Sequence, residues 1–244
     1  SAAGLDRSLL RPSYRRYAPR FGLAWTIPGS KETVVRAGYG EFLNQWAYSV
    51  QQAFARNLPF FVVKNINTPA DAQLPTQRTS TILTSNAVGT LGGNTMDYGY
   101  RTEYTGTWTV GVQREVMKSV MTEISYMGNR TVGADNGSVL NVPTPGPGPI
   151  DSRRPIPQLS SIRTIRWNGW GTYNALTLRA ERRASNGLSF GANYSWSKSI
   201  DDASDPGPTA YEQNLPQNVY DLDAEKALSS YDHRHRFVSS FVYQ

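Results

Sequence analysis

Between Tyr173 and Asp201, apolar side chains fall at every second position on both sides of a tight connection. Leu176, Leu178 and Ala180 alternate with Thr177, Arg179 and Glu181. Beyond Ala184-Ser185-Asn186-Gly187, the residues Leu188, Phe190, Ala192, Tyr194 and Trp196 alternate with Ser189, Gly191, Asn193, Ser195 and Ser197. A period of two marks strands with one apolar and one wet face. The connection is rich in residues that tolerate positive φ, so the spacing predicts a β-hairpin.

Five further segments carry the same signature. In 20–27, Phe21, Leu23, Trp25 and Ile27 oppose Arg20, Gly22, Ala24 and Thr26. In 33–42, Val35, Ala37 and Tyr39 oppose Arg36, Gly38 and Gly40, with Val34 breaking the pattern. Residues 103–115 place Tyr104, Trp108, Val110 and Val112 opposite Thr105, Thr107, Thr109, Gly111 and Gln113. Residues 120–129 set Val120, Ile124 and Tyr126 against Glu123 and Ser125, and 236–244 set Phe237, Phe241 and Tyr243 against Ser240. About seven strands are predicted, joined alternately by short turns and long connections.

That rhythm narrows the architecture. The connections after 27, 115 and 183 are short, whereas those after 42, 129 and 201 run to roughly sixty, forty and thirty residues. Soluble β-domains seldom carry structureless loops beyond about 15 residues. Outer-membrane barrels combine tight periplasmic turns with long extracellular loops. Several of the strands also reach the roughly 9–11 residues that a tilted transmembrane strand needs, where a soluble strand averages nearer 5–6. The expected fold is therefore all-β: an antiparallel transmembrane β-barrel wall, partial because about seven strands cannot close a wide barrel. Lipid would cover the apolar face at Trp108, Val110, Val112, Leu176, Leu178, Leu188, Phe190, Tyr194 and Trp196. The aromatics at the long-loop ends would form an interfacial girdle. A soluble β-sandwich, with a second sheet over the same face, is the alternative.

Composition agrees without deciding. Of 244 residues, 11% are aromatic and 18% charged, with 21 Gly and 15 Pro. The mean hydropathy of −0.49 suits a barrel with polar lumen and loops as well as it suits a soluble chain. The chain has no Cys, which excludes disulfides and thiolate metal sites. The net charge of +6 is dispersed, with no basic helix or RNA-binding fingerprint, so nucleic acid is not an expected partner.

Several stretches resemble a known family. "PRFGLAWTIPGSKETVVRAGYGEF" (19–42), "WTVGVQREV" (108–116), "YNALTLRAERRASNGLSFGANYSWSKSIDD" (173–202) and "DHRHRFVSSFVYQ" (232–244) are similar, in the same order, to Oar-like TonB-dependent receptors of the bacterial outer membrane. The resemblance implies a 22-stranded barrel around a plug, taking up an unknown large substrate with energy from the TonB complex. No signal peptide, TonB box or plug is evident, so residues 1–244 are expected to be one partial barrel domain of a longer protein, which would reach TonB through parts outside them. An outer-membrane adhesin or a passive pore is the alternative function.

Candidate chemistry is sparse. His233 and His235 stand two apart on an expected strand and could share a metal, and Asp221 and Asp223 offer hard oxygen ligands, but neither set has a complete ligand spacing. No nucleophile elbow, phosphate loop or dinucleotide fingerprint occurs, so neither an enzyme nor a cofactor is expected. The wet-face residues Arg36, Arg179, Glu181, Arg183 and Arg236 are expected to face the lumen, because charges facing mid-bilayer lipid cost about 2–4 kcal/mol each.

Overall fold

A computed structural model describes residues 16–30, 33–44, 91–99, 101–185, 187–204 and 215–243, with the side chains at 91 and 183–185 outside that description. Its strands are β1 (Arg20–Thr26), β2 (Thr33–Asn44), β3 (Leu91–Met96), β4 (Glu103–Met117), β5 (Val120–Leu140), β6 (Leu159–Ser185), β7 (Leu188–Asp201), β8 (Ala227–Leu228) and β9 (His235–Tyr243). All belong to one sheet, in the order β1-β2-β4-β5-β6-β7, with β8 and β9 following on the free side of β7. Neighbours along this path are antiparallel; β1 on β2 and β2 on β4 pair without a break, and the next three registers slip only beside a tight turn or at one bend. Among the described residues the sheet does not close on itself. No described helix is long and apolar enough to cross a membrane.

The tight turns form where alternation lapses. Gly29, Ser119 and Gly187 adopt φ of 85°, 68° and 78°, which lets each chain reverse within a few residues. Those turns share one end of the sheet, and the long connections share the other.

The expected strands all form, and two differences stand out. First, the forty-residue connection after residue 129 is mostly strand: β5 runs 21 residues and β6 runs 27, so the true loop is 141–158. Glycine, serine and asparagine dilute the alternation there, and their pairing supplies what side-chain pattern does not. Second, the residues expected to form the first long loop include β3, which lies parallel on β6 from Leu91↔Leu159 to Met96↔Ile165. It takes over the edge of β6 beyond the last β7 pair, Gly171↔Asp201.

Trunk and extension meet at an irregularity. The register of β5 on β6 slips between Val132 and Ala134 and again before Asn136, with Gly133 at φ 77°. Such bulges bend and twist a strand pair. Beyond the bend, Ile165 is 4% exposed and Trp167 5%, and Thr164, Asn136 and Ser138 are also buried. Thr164 and Ile165 point to opposite faces, so the extension is covered on both sides while the trunk is not. The indole N–H of Trp167 donates to the Asp97 carbonyl at 3.3 Å.

Asn141, at φ 58°, clamps the Pro-rich loop. Its amide nitrogen lies 2.8–3.0 Å from the carbonyls of Ile156, Leu159 and Ser160, and its oxygen accepts the Ile156 N–H at 2.8 Å. The Tyr220 hydroxyl donates to the Val142 carbonyl at 2.8 Å and ties the last long connection to this loop.

With the outer edges of β1 and β9 unpaired among the described residues and an exposed apolar face, the 244-residue chain expressed alone in detergent-free buffer is expected to aggregate. Light scattering with far-ultraviolet circular dichroism checks this. A monodisperse, cooperatively folding monomer would show that protein covers that face.

Candidate functional site: the two faces of the wall

Register converts the separate strand patterns into continuous rows. One row runs Trp25-Val35-Val112-Ile124-Leu178-Tyr194-Phe237, and the next Leu23-Ala37-Val110-Tyr126-Leu176-Trp196-His235. A third holds Phe21, Tyr39, Trp108 and Gly128. Towards the short turns, Arg182 pairs with Phe190, Phe190 with Phe241, and Leu188 with Tyr243. Every residue named above for the apolar face therefore lies on one surface spanning seven strands.

That surface is open. Leu178 is 42% exposed, Trp196 55% and Phe237 68%, and Val110, Val112 and Leu176 are exposed as well. No second layer of described residues covers it, because every described strand lies in the one sheet. A patch this wide is far larger than a soluble monomer leaves to water.

Its height fits a bilayer. On β4, Tyr104 lies at the long-loop end and Arg114 at the other, about ten residues apart, or about 33 Å of strand at 3.3 Å each. A strand tilted by about 40° converts that into about 25 Å, the height of the apolar band of outer-membrane barrels. Glycines let the aromatics lie flat at the upper border. A Cβ on Gly128 would come within 2.5 Å of the Trp108 indole, so that ring rests on a bare stretch of β5. Tyr39 reaches over Gly106, where a Cβ would meet its hydroxyl oxygen at an ordinary 3.5 Å.

The opposite surface is polar. Its rows include Ala24-Arg36-Gly111-Ser125-Thr177-Ser195-Arg236 and Val34-Gln113-Glu123-Arg179-Asn193-Val238. Arg179 donates to Glu181 on its own strand at 2.7 Å. Thr105 and Thr131 share a hydroxyl hydrogen bond at 2.8 Å, and Thr177 and Ser195 one at 3.3 Å. Arg36 and Arg236 are exposed. The side chain of Arg183 lies outside the described residues.

The metal candidates do not come together. Among the described residues, no three His, Asp or Glu side chains are placed to hold a metal ion. The His235 ring sits on the apolar face beside Trp196, with Nδ1 2.8 Å from the Tyr194 hydroxyl. His233 contributes its carbonyl, which accepts from the Ser197 hydroxyl at 2.8 Å. Asp223 pairs with Lys226 at 2.7 Å, which holds its carboxyl below the usual range. Asp221 starts the 3-10 turn Leu222–Glu225.

Periodicity did not single out the charged and aromatic residues at the upper border of the apolar face. Lys198 pairs with Asn174, and Arg130 stands on the same face of β5, two residues beyond the Gly128 that pairs with Asn174. The Arg16 guanidinium lies 3.8 Å over the Tyr104 ring and the Lys226 ammonium 5.5 Å over Trp170. Asp202 accepts the Trp170 N–H at 2.8 Å, while burial pushes its carboxyl up. Continuing the alternation past Trp196 to Lys198, and past Gly128 to Arg130, would have flagged two of these positions.

One long-stranded antiparallel sheet, apolar on an uncovered face and polar on the other, defines the wall of a membrane-spanning β-barrel. Residues 1–244 match the family described as outer membrane beta barrel domain, and the chain belongs to that family. The protein is accordingly one of the bacterial outer membrane, in contact with membrane lipid. No curated protein matches its sequence significantly.

Solved structures similar to it include the outer membrane transporter YddB from Escherichia coli, at 14% identity and TM-score 0.50, over 77% of this chain and 20% of that one. The FrpB iron transporter from Neisseria meningitidis matches at 14% identity and TM-score 0.40, over 75% of this chain and 19% of that one. The siderophore receptor PirA from Pseudomonas aeruginosa matches at 10% identity and TM-score 0.41, over 76% and 30%. The first likeness concerns the fold, and the chain spans only a fifth of that protein's length.

Two outcomes test the faces in the barrel protein that carries residues 1–244, refolded into vesicles. Leu178→Arg is expected to destabilise the barrel by about 2–4 kcal/mol in urea titration, whereas Thr177→Arg, one residue along on the polar face, costs less than about 1 kcal/mol. Gly128→Val is expected to displace Trp108 and cost about 1–3 kcal/mol by overpacking, read in the same titration together with a shift in tryptophan emission.

Proposed function

We propose that the chain is part of the barrel wall of a TonB-dependent receptor that imports a large substrate through a plugged barrel. The observation that carries this reading is the ordered set of motifs, from 19–42 to 232–244, similar to Oar-like receptors and laid out along one outer-membrane barrel domain. The fold likeness to an outer membrane transporter supports it. In this reading the Trp108-Leu178-Trp196 face meets lipid, and Arg36, Arg179, Glu181 and Arg236 line the lumen around a plug supplied by other parts of the protein. The extension of β3, β5 and β6 stands outside the cell and offers a covered, rigid surface for first contact with substrate. The chain's contribution is positioning and passage rather than catalysis.

A reading as passive pore or adhesin differs in its energy requirement. In a host deleted for the gene and complemented by it, growth on the imported nutrient is expected to depend on TonB and on the proton-motive force. Uptake that persists undiminished without TonB would exclude the receptor reading and favour a pore; a phenotype limited to attachment would favour an adhesin.

A further inference from the structure

The upper border of the apolar face carries cations where a purely aromatic girdle would suffice. Arg130 on β5 and Lys198 on β7 are exposed, lie on the face of Trp108, Leu176 and Trp196, and make no ion pair among the described residues. Strand spacing of about 4.8 Å and a rise of about 3.3 Å put their Cα positions about 12 Å apart on a diagonal. Two long basic side chains can converge across that gap. Between them, on the same face of β6, stand Thr172 and Asn174. Asn174 accepts the Tyr126 hydroxyl at 2.6 Å through its carbonyl oxygen, which leaves its amide N–H groups to donate. Arg16, seated on Tyr104 at 3.8 Å, adds a third cation one strand further on.

The carboxylates near the same border each accept a hydrogen bond or ion pair of their own. Glu41 accepts the Tyr39 hydroxyl at 3.0 Å, on β2, two strands from Arg130. Asp202 is half-buried against the Trp170 N–H. Asp223 is paired with Lys226. Glu41 stands in the row of Arg130 through Gly106, so the stretch from β5 to β7 presents cations and neutral donors, flanked by one carboxylate on β2.

We propose that Arg130 and Lys198, with Thr172, Asn174 and Arg16, bind the phosphate groups of a phosphorylated lipid of the outer leaflet. Acyl chains continuing from that headgroup would lie on Trp196, Leu176 and Tyr126 directly below. The site rests on the reading that this face meets lipid, and it is independent of what the barrel imports. A phosphate at the headgroup level gains from two or three cations near a charged surface, each contributing about five-fold in affinity.

The test uses the barrel protein that carries residues 1–244, extracted in detergent and titrated with diphosphorylated lipid A or with phosphatidylcholine, with bound lipid read by native mass spectrometry. Wild type is expected to retain lipid A in preference to phosphatidylcholine. R130S/K198S is expected to bind lipid A about 30-fold more weakly, R130K/K198R to retain it, and R114S, at the opposite border, to leave it unchanged. Heat-modifiable gel migration verifies folding; should the double variant not fold, K198S alone is expected to bind about five-fold more weakly. Unchanged lipid A binding in R130S/K198S, or in K198S when that variant carries the test, equal retention of phosphatidylcholine, or an equal loss in R114S would each overturn the site. Displacement of lipid A by inorganic phosphate at equal concentration would assign it to a free anion instead. Loss of lipid A with TonB-dependent uptake intact separates this site from the transport reading.

Discussion

A chain that enters hydrocarbon must satisfy every backbone N–H and C=O within itself, since an unpaired group there costs several kcal/mol. The long registers of this sheet meet that demand. β2 on β4, β4 on β5 and β6 on β7 each pair over most of their length, with slips confined to the turn ends and to the Gly133 bend. Once the ladder is fixed, the pleat alone sends Leu178 one way and Thr177 the other, and the two surfaces follow. The exposed face of the trunk and the buried extension are consequences of the same ladder in two surroundings. On the trunk Leu178 and Phe237 remain open; beyond the bend Ile165 and Trp167 are covered.

How much of this was legible in the sequence depends on how strongly each segment contrasts its two faces. In the hairpin of β6 and β7, large apolar residues oppose small polar ones, and both strand boundaries and face assignments emerge from spacing alone. Between 130 and 140 the residues are Arg, Thr, Val, Gly, Ala, Asp, Asn, Gly, Ser, Val and Leu, with no period to read. They are strand because β6 runs beside them, a tertiary cause that a local pattern does not carry. β3 is harder still. Its Leu-Gly-Gly-Asn-Thr-Met sequence has little strand propensity, and its parallel partner lies about seventy residues away.

The same limit applies to sites. Apolar and polar rows follow from periodicity, so the lipid-side and lumen-side candidates could be named strand by strand. The upper border depends on cross-strand neighbours: Arg130 matters beside Lys198 only because β6 sets Thr172 and Asn174 between them. Likewise, nothing in "YMGN" announces that Gly128 is bare so that Trp108, twenty residues earlier, can lie across it.

That glycine shows how the wall reconciles two demands. A bulky indole standing upright from the sheet would leave gaps that lipid tails fill poorly, and a β-branched neighbour would force it upright. Laying Trp108 on Gly128 keeps that ring against backbone. The cost is strand propensity at Gly128, since glycine weakens a strand. Cross-strand aromatic contact restores part of it, and the neighbouring pairs Tyr39↔Trp108 and Phe21↔Tyr39 extend that contact across three strands. The aromatic row is therefore a structural element of the sheet in its own right. Its placement directly beneath Arg130 means that, in the proposed reading, one short stretch of wall would set both the depth of insertion and the chemistry presented at the surface.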